Sequence, residues 1–459
     1  MLEEWRRSSD GRASGSYPLG QGFKSLRRYF FYPRQMNEAI VKDKQYFKFC
    51  FYGFLKNLRF FDPFILLFFR GMGFSFLQIG TLFSIREIAT NLLEVPTGIV
   101  ADAYGRRRAM IFSFGAYILS FLIFYFLPSY SLYAVAMIFF AMGEAFRTGT
   151  HKAMILAYLQ ATDQIKHKVA YYGHTRACSE RGSALSSLIA AALVLYSGSY
   201  RIIFLASVIP YIAGLLLMIS YPAELDGLAP RKRSGRVLKD SLEQILSTLR
   251  DFIDIFKNPG FLRTLFNSAS FDAVFKTVKD YIQPVLQALA LSLPILVSLS
   301  EDRRVAVLIG TIYFLLYLLA AFASTQSGTL EKRIPSLAGL VNTTYLIGAL
   351  IILATGGVLF ASLRIPAVVL YVLLYTLMNL RRPLTVGYVS EQISAKVMAS
   401  GLSGESQVKT ILVALLAPLV GFLADTIGIG AAMGSAGLLL LIVFPFLRVR
   451  TTTRPRETD

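Results

Sequence analysis

The chain is poor in charge, in sulfur and in imidazole. Only 16% of its 459 residues are Asp, Glu, Lys or Arg, against roughly 25% in an ordinary soluble domain, which excludes a water-soluble fold of this size. It carries two cysteines, Cys50 and Cys178. Both are expected near helix ends on a reducing side, so no disulfide framework is expected. Its three histidines, His151, His167 and His174, have no metal-ligand spacing, and no metal or other cofactor is expected. No G-x-x-x-x-G-K-(S/T) loop occurs, which argues against ATP as an energy source. No His-Asp constellation offers catalysis, so the chain is read as a non-enzyme.

What the chain has instead is apolar surface. It is 54% hydrophobic and 13% aromatic, with a net charge of +19. Such a charge can point to nucleic acid, but here the basic residues stand between apolar runs, without a nucleic-acid motif. They suit the cytoplasmic loops of a membrane protein. Runs of about 20 residues, the length that crosses a bilayer, are expected at 47–70, 76–101, 109–128, 131–157, 178–197, 201–221, 260–288, 304–326, 334–360, 365–390, 403–425 and 428–448. The fold class is therefore an all-α membrane protein with about twelve transmembrane helices. Arg106–Arg108, Lys166/Lys168/Arg176, Arg231–Arg236, Lys332/Arg333 and Arg448/Arg450/Arg454 fall on one side, which places both termini in the cytoplasm. Glu301-Asp-Arg-Arg304 is the exception, basic but balanced by acids.

Five regions follow. Residues 1–45 read as a disordered cytoplasmic tail. The segment before Met36 is expected to be dispensable, or even upstream of the natural start, which N-terminal sequencing of natively expressed protein would check. Residues 46–221 form one six-helix bundle. Residues 222–259 form a cytoplasmic linker, in which Leu242, Ile245, Leu246, Leu249, Phe252, Ile253, Ile255 and Phe256 mark an amphipathic surface helix. Residues 260–449 form a second bundle, and 450–459 a short cytoplasmic tail. Weak echoes suggest duplication: Gly53-Phe-Leu-Lys56 with Gly260-Phe-Leu-Arg263, Glu144-Ala-Phe-Arg147 with Asn379-Leu-Arg-Arg382, and Gly98-Ile-Val-Ala-Asp102 with Gly421-Phe-Leu-Ala-Asp425.

The most specific stretch runs from Phe76 to Arg108. It is an apolar span with Arg86 and Glu87 near its middle, ending in a glycine turn and three arginines. Gly98, Asp102, Gly105, Arg106 and Arg107 match the pattern G-x-x-x-D-(R/K)-x-G-(R/K)-(R/K). With about twelve spans in two halves, residues 46–449 resemble the major facilitator superfamily of transporters. Ala103 departs from the pattern, at a position the family usually fills with a basic residue. The resemblance implies two pseudo-symmetric six-helix bundles. It also implies that this loop latches the halves on the cytoplasmic side, with Asp102 as a conformational switch; for Asp102 alone, a turn-capping role is the plainer alternative.

A charge at bilayer depth costs several kcal/mol unless it is paired or faces water. Such charges gather at the span centres: Arg59 and Asp62 on the first span, Arg86 and Glu87 on the second, Glu144 and Arg147 on the fourth, Asp272 and Lys276 on the seventh, Arg381 and Arg382 on the tenth. Lys152 and Lys409 lie nearer the cytoplasm. Arg59/Asp62 and Glu144/Arg147 are three apart and Asp272/Lys276 four apart, so each pair is expected on one helix face. Adjacent Arg86 and Glu87 are expected to serve different partner helices. Any one of these residues could be a structural ion pair. The set as a whole points to a polar cavity, which the resemblance places among spans 1, 4, 7 and 10.

Cations outnumber acids, which favours an anionic substrate group held by Arg59, Arg86, Arg147, Lys276, Arg381 and Arg382, above all Arg147 and Arg382. Asp62, Glu87 and Asp272 are the proton-coupling candidates. Pro63, Pro96, Pro284 and Pro383 mark bends. The expected protein is a monomeric secondary transporter of the cytoplasmic membrane, coupled to protons or sodium, with lipid and a small solute as partners and no nucleic acid. A multidrug efflux pump is the nearest alternative, since aromatic side chains can form an adaptable pocket. A lipid-acting membrane enzyme and a non-transporting scaffold are the alternatives of another class.

Overall fold

The computed structural model describes residues 40–226, 259–333, 336–392 and 398–450. The region before Met36, most of the expected N-terminal tail, the amphipathic linker helix and the C-terminal tail beyond residue 450 lie outside the described residues. Among the described residues all regular structure is helical, in fifteen α-helices joined by short turns and three 3-10 segments.

Eight of these helices are long and apolar enough to cross a membrane. They are α4 (Arg106–Phe126), α7 (Lys168–Ser197), α8 (Ile202–Ile219), α11 (Glu301–Arg333), α12 (Leu337–Phe360), α13 (Arg364–Gln392), α14 (Met398–Ile427) and α15 (Ile429–Leu447). Two start or end well beyond the expected apolar cores. α7 begins ten residues earlier than the apolar run and α11 continues past it to Arg333, because helix persists into the polar region where hydropathy no longer marks it.

The other four expected spans are charged or broken. The first is divided into α1 (Lys44–Lys56) and α2 (Ile65–Gly71). The second, α3 (Phe76–Tyr104), is continuous but carries Arg86, Glu87 and Glu94. The fourth is divided into α5 (Tyr130–Arg147) and α6 (Thr150–Ala161) at Gly149, whose φ of +79° ends the first piece. The seventh is divided into α9 (Pro259–Val278), a 3-10 turn at Lys279–Tyr281, and α10 (Ile282–Ser292). These irregular elements carry most of the mid-span charges.

Packing repeats between the two halves of the chain. In the first half α1 packs on α7 and α8, α4 on α5 and α8, and α3 on α5. In the second half the order recurs: α9 packs on α14 and α15, α12 on α13 and α15, and α11 on α13. The halves meet along two long seams, α3 against α14 and α7 against α11, and where α10 touches α2. The first seam is a backbone-to-backbone contact. A Cβ at Gly80 would lie 2.3 Å from the Ala417 carbonyl oxygen, and one at Gly421 2.3 Å from that of Phe76. Small residues permit this approach where no hydrophobic drive exists between helices in lipid. Aromatic rings fill the first half's core, with Phe68–Phe204 and Phe124–Phe204 centroids 4.6 and 4.8 Å apart.

Candidate functional site

The break in the first span is held open by a residue from the other half. Gln283 of α10, fully buried, donates from Nε2 to the Asp62 carbonyl at 2.9 Å and accepts at Oε1 from the Leu66 amide at 2.9 Å. Those two backbone groups would bond to each other in an unbroken helix. The side chain has entered the ladder at Pro63, where the ring already disfavours helix. Arg59 and Asp62 consequently sit in a turn, not on one helix face as their spacing suggests; the Asp62 amide bonds to the Arg59 carbonyl at 3.1 Å.

Arg59 turns to α5, where its guanidinium lies 2.7 Å from Glu144. The other Glu144 oxygen accepts from Arg147 three residues along the helix, and Arg147 Nε donates to the Tyr117 hydroxyl at 3.3 Å. One carboxylate thus serves two guanidiniums, and the expected Glu144/Arg147 face is present. The cluster is partly open: the three side chains are 26%, 18% and 17% exposed.

The centre of the molecule is a charge pair between halves. Lys276 Nζ of α9 lies 2.6 Å from Glu87 of α3. Arg86 also reaches Glu87, at 3.2 Å, with its guanidinium over the Phe83 and Phe140 rings. The two neighbours therefore converge where sequence adjacency suggested they would diverge, because the long arginine side chain folds back around its own helix. Lys276 is 35% exposed and Glu87 9%, so the pair is open on its lysine side. Asp272, one turn earlier, lies within Coulombic reach of Lys409, Arg382, Arg381 and Lys276. Arg382 is exposed. Lys279 and Asp280, at the break of the seventh span, pair at 2.6 Å.

Arg381 has a different setting. It is 0% exposed, bonds to Asn267 Oδ1 at 2.7 Å and Thr344 Oγ1 at 2.9 Å, and also donates to the Val341 carbonyl. Its guanidinium lies over Phe271 and Tyr345.

The loop after α3 closes onto its own half. The Arg107 amide donates to Asp226 Oδ1 at 2.7 Å, its Nε lies 3.4 Å from the other Asp226 oxygen, and Nη1 donates to the Tyr221 carbonyl at 3.0 Å. Gly105 has φ +106°, and a Cβ there would stand 2.8 Å from Asp226 Oδ1, so glycine is required twice over. Arg106 reaches the Ala153 carbonyl at 3.4 Å. Gly98 lies in the last turns of α3, with open space where a Cβ would stand. The Asp102 side chain lies outside the described part. At the opposite end of α3, Asp425 of α14 accepts from the Phe76 and Leu77 amides at 2.9 and 2.8 Å, capping that helix from the other half.

Spacing and charge led to the paired acids and bases but not to Gln283, Asp425 in its capping role, Asp226 or Tyr117. The only signal for Gln283 was an amide beside Pro284 in the irregular seventh span. Asp425 was visible as the echo of Asp102.

A helical membrane protein with two similarly packed halves and a bridging ion pair between them belongs to the class of polytopic transporters. The model of the Major Facilitator Superfamily matches residues 49–411, and the chain belongs to that family. An uncharacterized MFS-type transporter, YxaM of Bacillus subtilis (strain 168), is 34% identical over 90 residues, which cover 20% of this chain and 23% of that relative. The aligned stretch therefore spans about a quarter of the relative's length. Among solved structures, the nucleoside transporter NupG has a TM-score of 0.65 at 13% identity, covering 95% of this chain and 100% of that one. A POT family transporter in complex with a thioalcohol conjugated peptide has a TM-score of 0.67 at 14% identity, covering 93% and 98%. At these identities the likeness is one of fold.

Proposed function

We propose that the protein is a secondary transporter that moves a small solute bearing an anionic group by alternating access, with proton coupling. Each broken rod counts as one crossing, giving twelve spans in two bundles, 46–221 and 260–449. By the distribution of basic residues, both termini and the arginine loop lie in the cytoplasm of a cell whose bounding membrane holds the protein. A monomer suffices, since both halves of the site come from one chain.

The observation that carries this reading is the Lys276–Glu87 pair. It joins the middle of α3 to the last turn of α9, and its ammonium is 35% exposed. An ion pair whose only work was cohesion would be replaceable by apolar packing. Here the lysine side of the pair stays open, Arg86 shares Glu87 with Lys276, and Lys409 and Arg382 stand within Coulombic reach of Asp272 one turn away. Arg59, Arg86, Arg147, Lys276 and Arg382 are the residues proposed to meet the substrate. Arg381, buried and bonded on several sides, is proposed to support them from behind. Asp62, Glu87 and Asp272 are the proton-coupling candidates, and Gly98, Asp102, Gly105, Arg106 and Arg107 are proposed as the conformational switch, in a loop whose described contacts stay within its own half.

The solved neighbours are a nucleoside transporter and a POT family transporter in complex with a conjugated peptide, and the test spans both kinds of cargo. Purified protein in liposomes with an imposed pH gradient is assayed for flux of small carboxylates, phosphate esters, peptides and nucleosides. A thermal-shift screen against the same panel selects the substrates, since a ligand of the folded state raises its melting point. Flux of anionic solutes that collapses with the gradient is expected. Flux of cationic amphiphiles alone would favour the efflux alternative.

A further inference from the structure

A cavity of about 750 Å³ opens at the arginine-loop end of the second half, away from the central charges. It is lined by Arg263 on the second turn of α9, by the first two turns of α12 at Ala338, Gly339 and Asn342, and by the end of α15 and the segment that leaves it. That segment is fastened at four backbone groups. Asn267 donates to the Leu447 carbonyl at 3.0 Å. Asn342 accepts from the Val449 amide at 3.0 Å and donates to the Val449 carbonyl at 2.8 Å. The Tyr388 hydroxyl donates to the Arg450 carbonyl at 2.8 Å. Asn267 is itself held by Arg381 at 2.7 Å.

Val449 is 4% exposed, packed inward. On either side of it Arg448 and Arg450 are exposed and line the cavity together with Arg263. Among the described residues none of the three arginines has an ion-pair partner. Three exposed cations thus stand around one cavity with no acid paired to them among the described residues. The N-terminal end of α12 adds partial positive charge. Next to them on α15 lies apolar surface: Phe446 is 73% exposed and Ile442, one turn earlier, 61%.

We propose that this cavity binds a phosphate group, that of an anionic phospholipid whose acyl chains lie along the exposed Ile442–Phe446 flank. Arginine forks suit phosphate oxygens, and basic pockets between membrane helices take such headgroups. Arg448, Arg450 and Arg263 contact the phosphate. Arg381 acts through Asn267 as a positioning residue.

Full-length protein is purified in neutral detergent, supplied with equal phosphatidylglycerol and phosphatidylcholine, and weighed intact by mass spectrometry; its melting is followed in parallel. The wild type is expected to retain phosphatidylglycerol over phosphatidylcholine by on the order of 100-fold, the factor that three arginines near an anionic surface supply. The preference should weaken with salt. The double substitution Arg448→Gln/Arg450→Gln is expected to bring it near unity. Inorganic phosphate and glycerol phosphate are titrated as soluble probes. Melting protection by these equal to that by the lipid would keep the phosphate site and overturn its lipid source. Should the double variant fold poorly, Arg263→Gln, outside the fastened segment, carries the same comparison. A wild type that retains both lipids equally and ignores soluble phosphate overturns the proposal.

Discussion

Glu144 and Glu87 are both carboxylates with two cationic neighbours, yet their consequences differ. Glu144 satisfies Arg59 and Arg147 within one half. Glu144→Gln would leave two guanidiniums uncompensated at bilayer depth, and removing one partner of a buried pair costs about 3–5 kcal/mol. A lowered melting temperature in detergent, by several degrees, is the expected result, and an unchanged melt would count against the cluster as a fold determinant. Glu87 ties one half to the other through Lys276. Glu87→Gln is expected to lower gradient-driven flux at least tenfold while leaving downhill exchange measurable, because a protonated carboxyl mimic keeps the carrier but not the coupling. Equal loss of both modes would assign Glu87 to structure instead. The residue types and spacings made these charges visible in the sequence. Their partners were not, because an arginine can fold back around its helix, as Arg86 does, and no spacing rule gives the distance between helices.

At the scale of elements, the breaks matter more than the spans. Gln283 replaces one helical bond of the first span with two bonds from α10. Gln283→Leu orphans the Leu66 amide and the Asp62 carbonyl, each worth about 1–3 kcal/mol when buried unmet. The expected outcome is a seam between α2 and α10 that opens more often, read as faster hydrogen exchange around Leu66. Unaltered exchange there would deny Gln283 its bracing role. The α3–α14 seam gives a sharper test. A side chain at Gly421 meets the Phe76 carbonyl at 2.3 Å, so Gly421→Leu is incompatible with this seam and is expected to hold the protein open at that end. Alternation of apolar and polar runs gave the helices and the ends of most of them. The interruptions escaped it, since Pro63 bends the chain in any setting while the wedge comes from a residue more than 200 positions away.

For the whole molecule, the repeated packing of the two halves and the family match agree on a transporter fold. In the sequence alone the loop motif of Gly98, Asp102, Gly105, Arg106 and Arg107 already points to that family. What the loop does here was not legible: Arg107 is fastened to Asp226 and Tyr221 of its own half. At the far end, Asp425 caps α3 from the other half. Alternating access requires the central pair to meet water from one side and then the other. The direct measurement places a single thiol there, Lys276→Cys in a Cys50→Ala/Cys178→Ala background, and labels it with a membrane-impermeant reagent from each face, with and without Gly421→Leu. Labelling from the arginine-loop side is expected in the parent, and a gain of labelling from the opposite side when Gly421→Leu is added. A thiol that reacts from neither side in both proteins would contradict it.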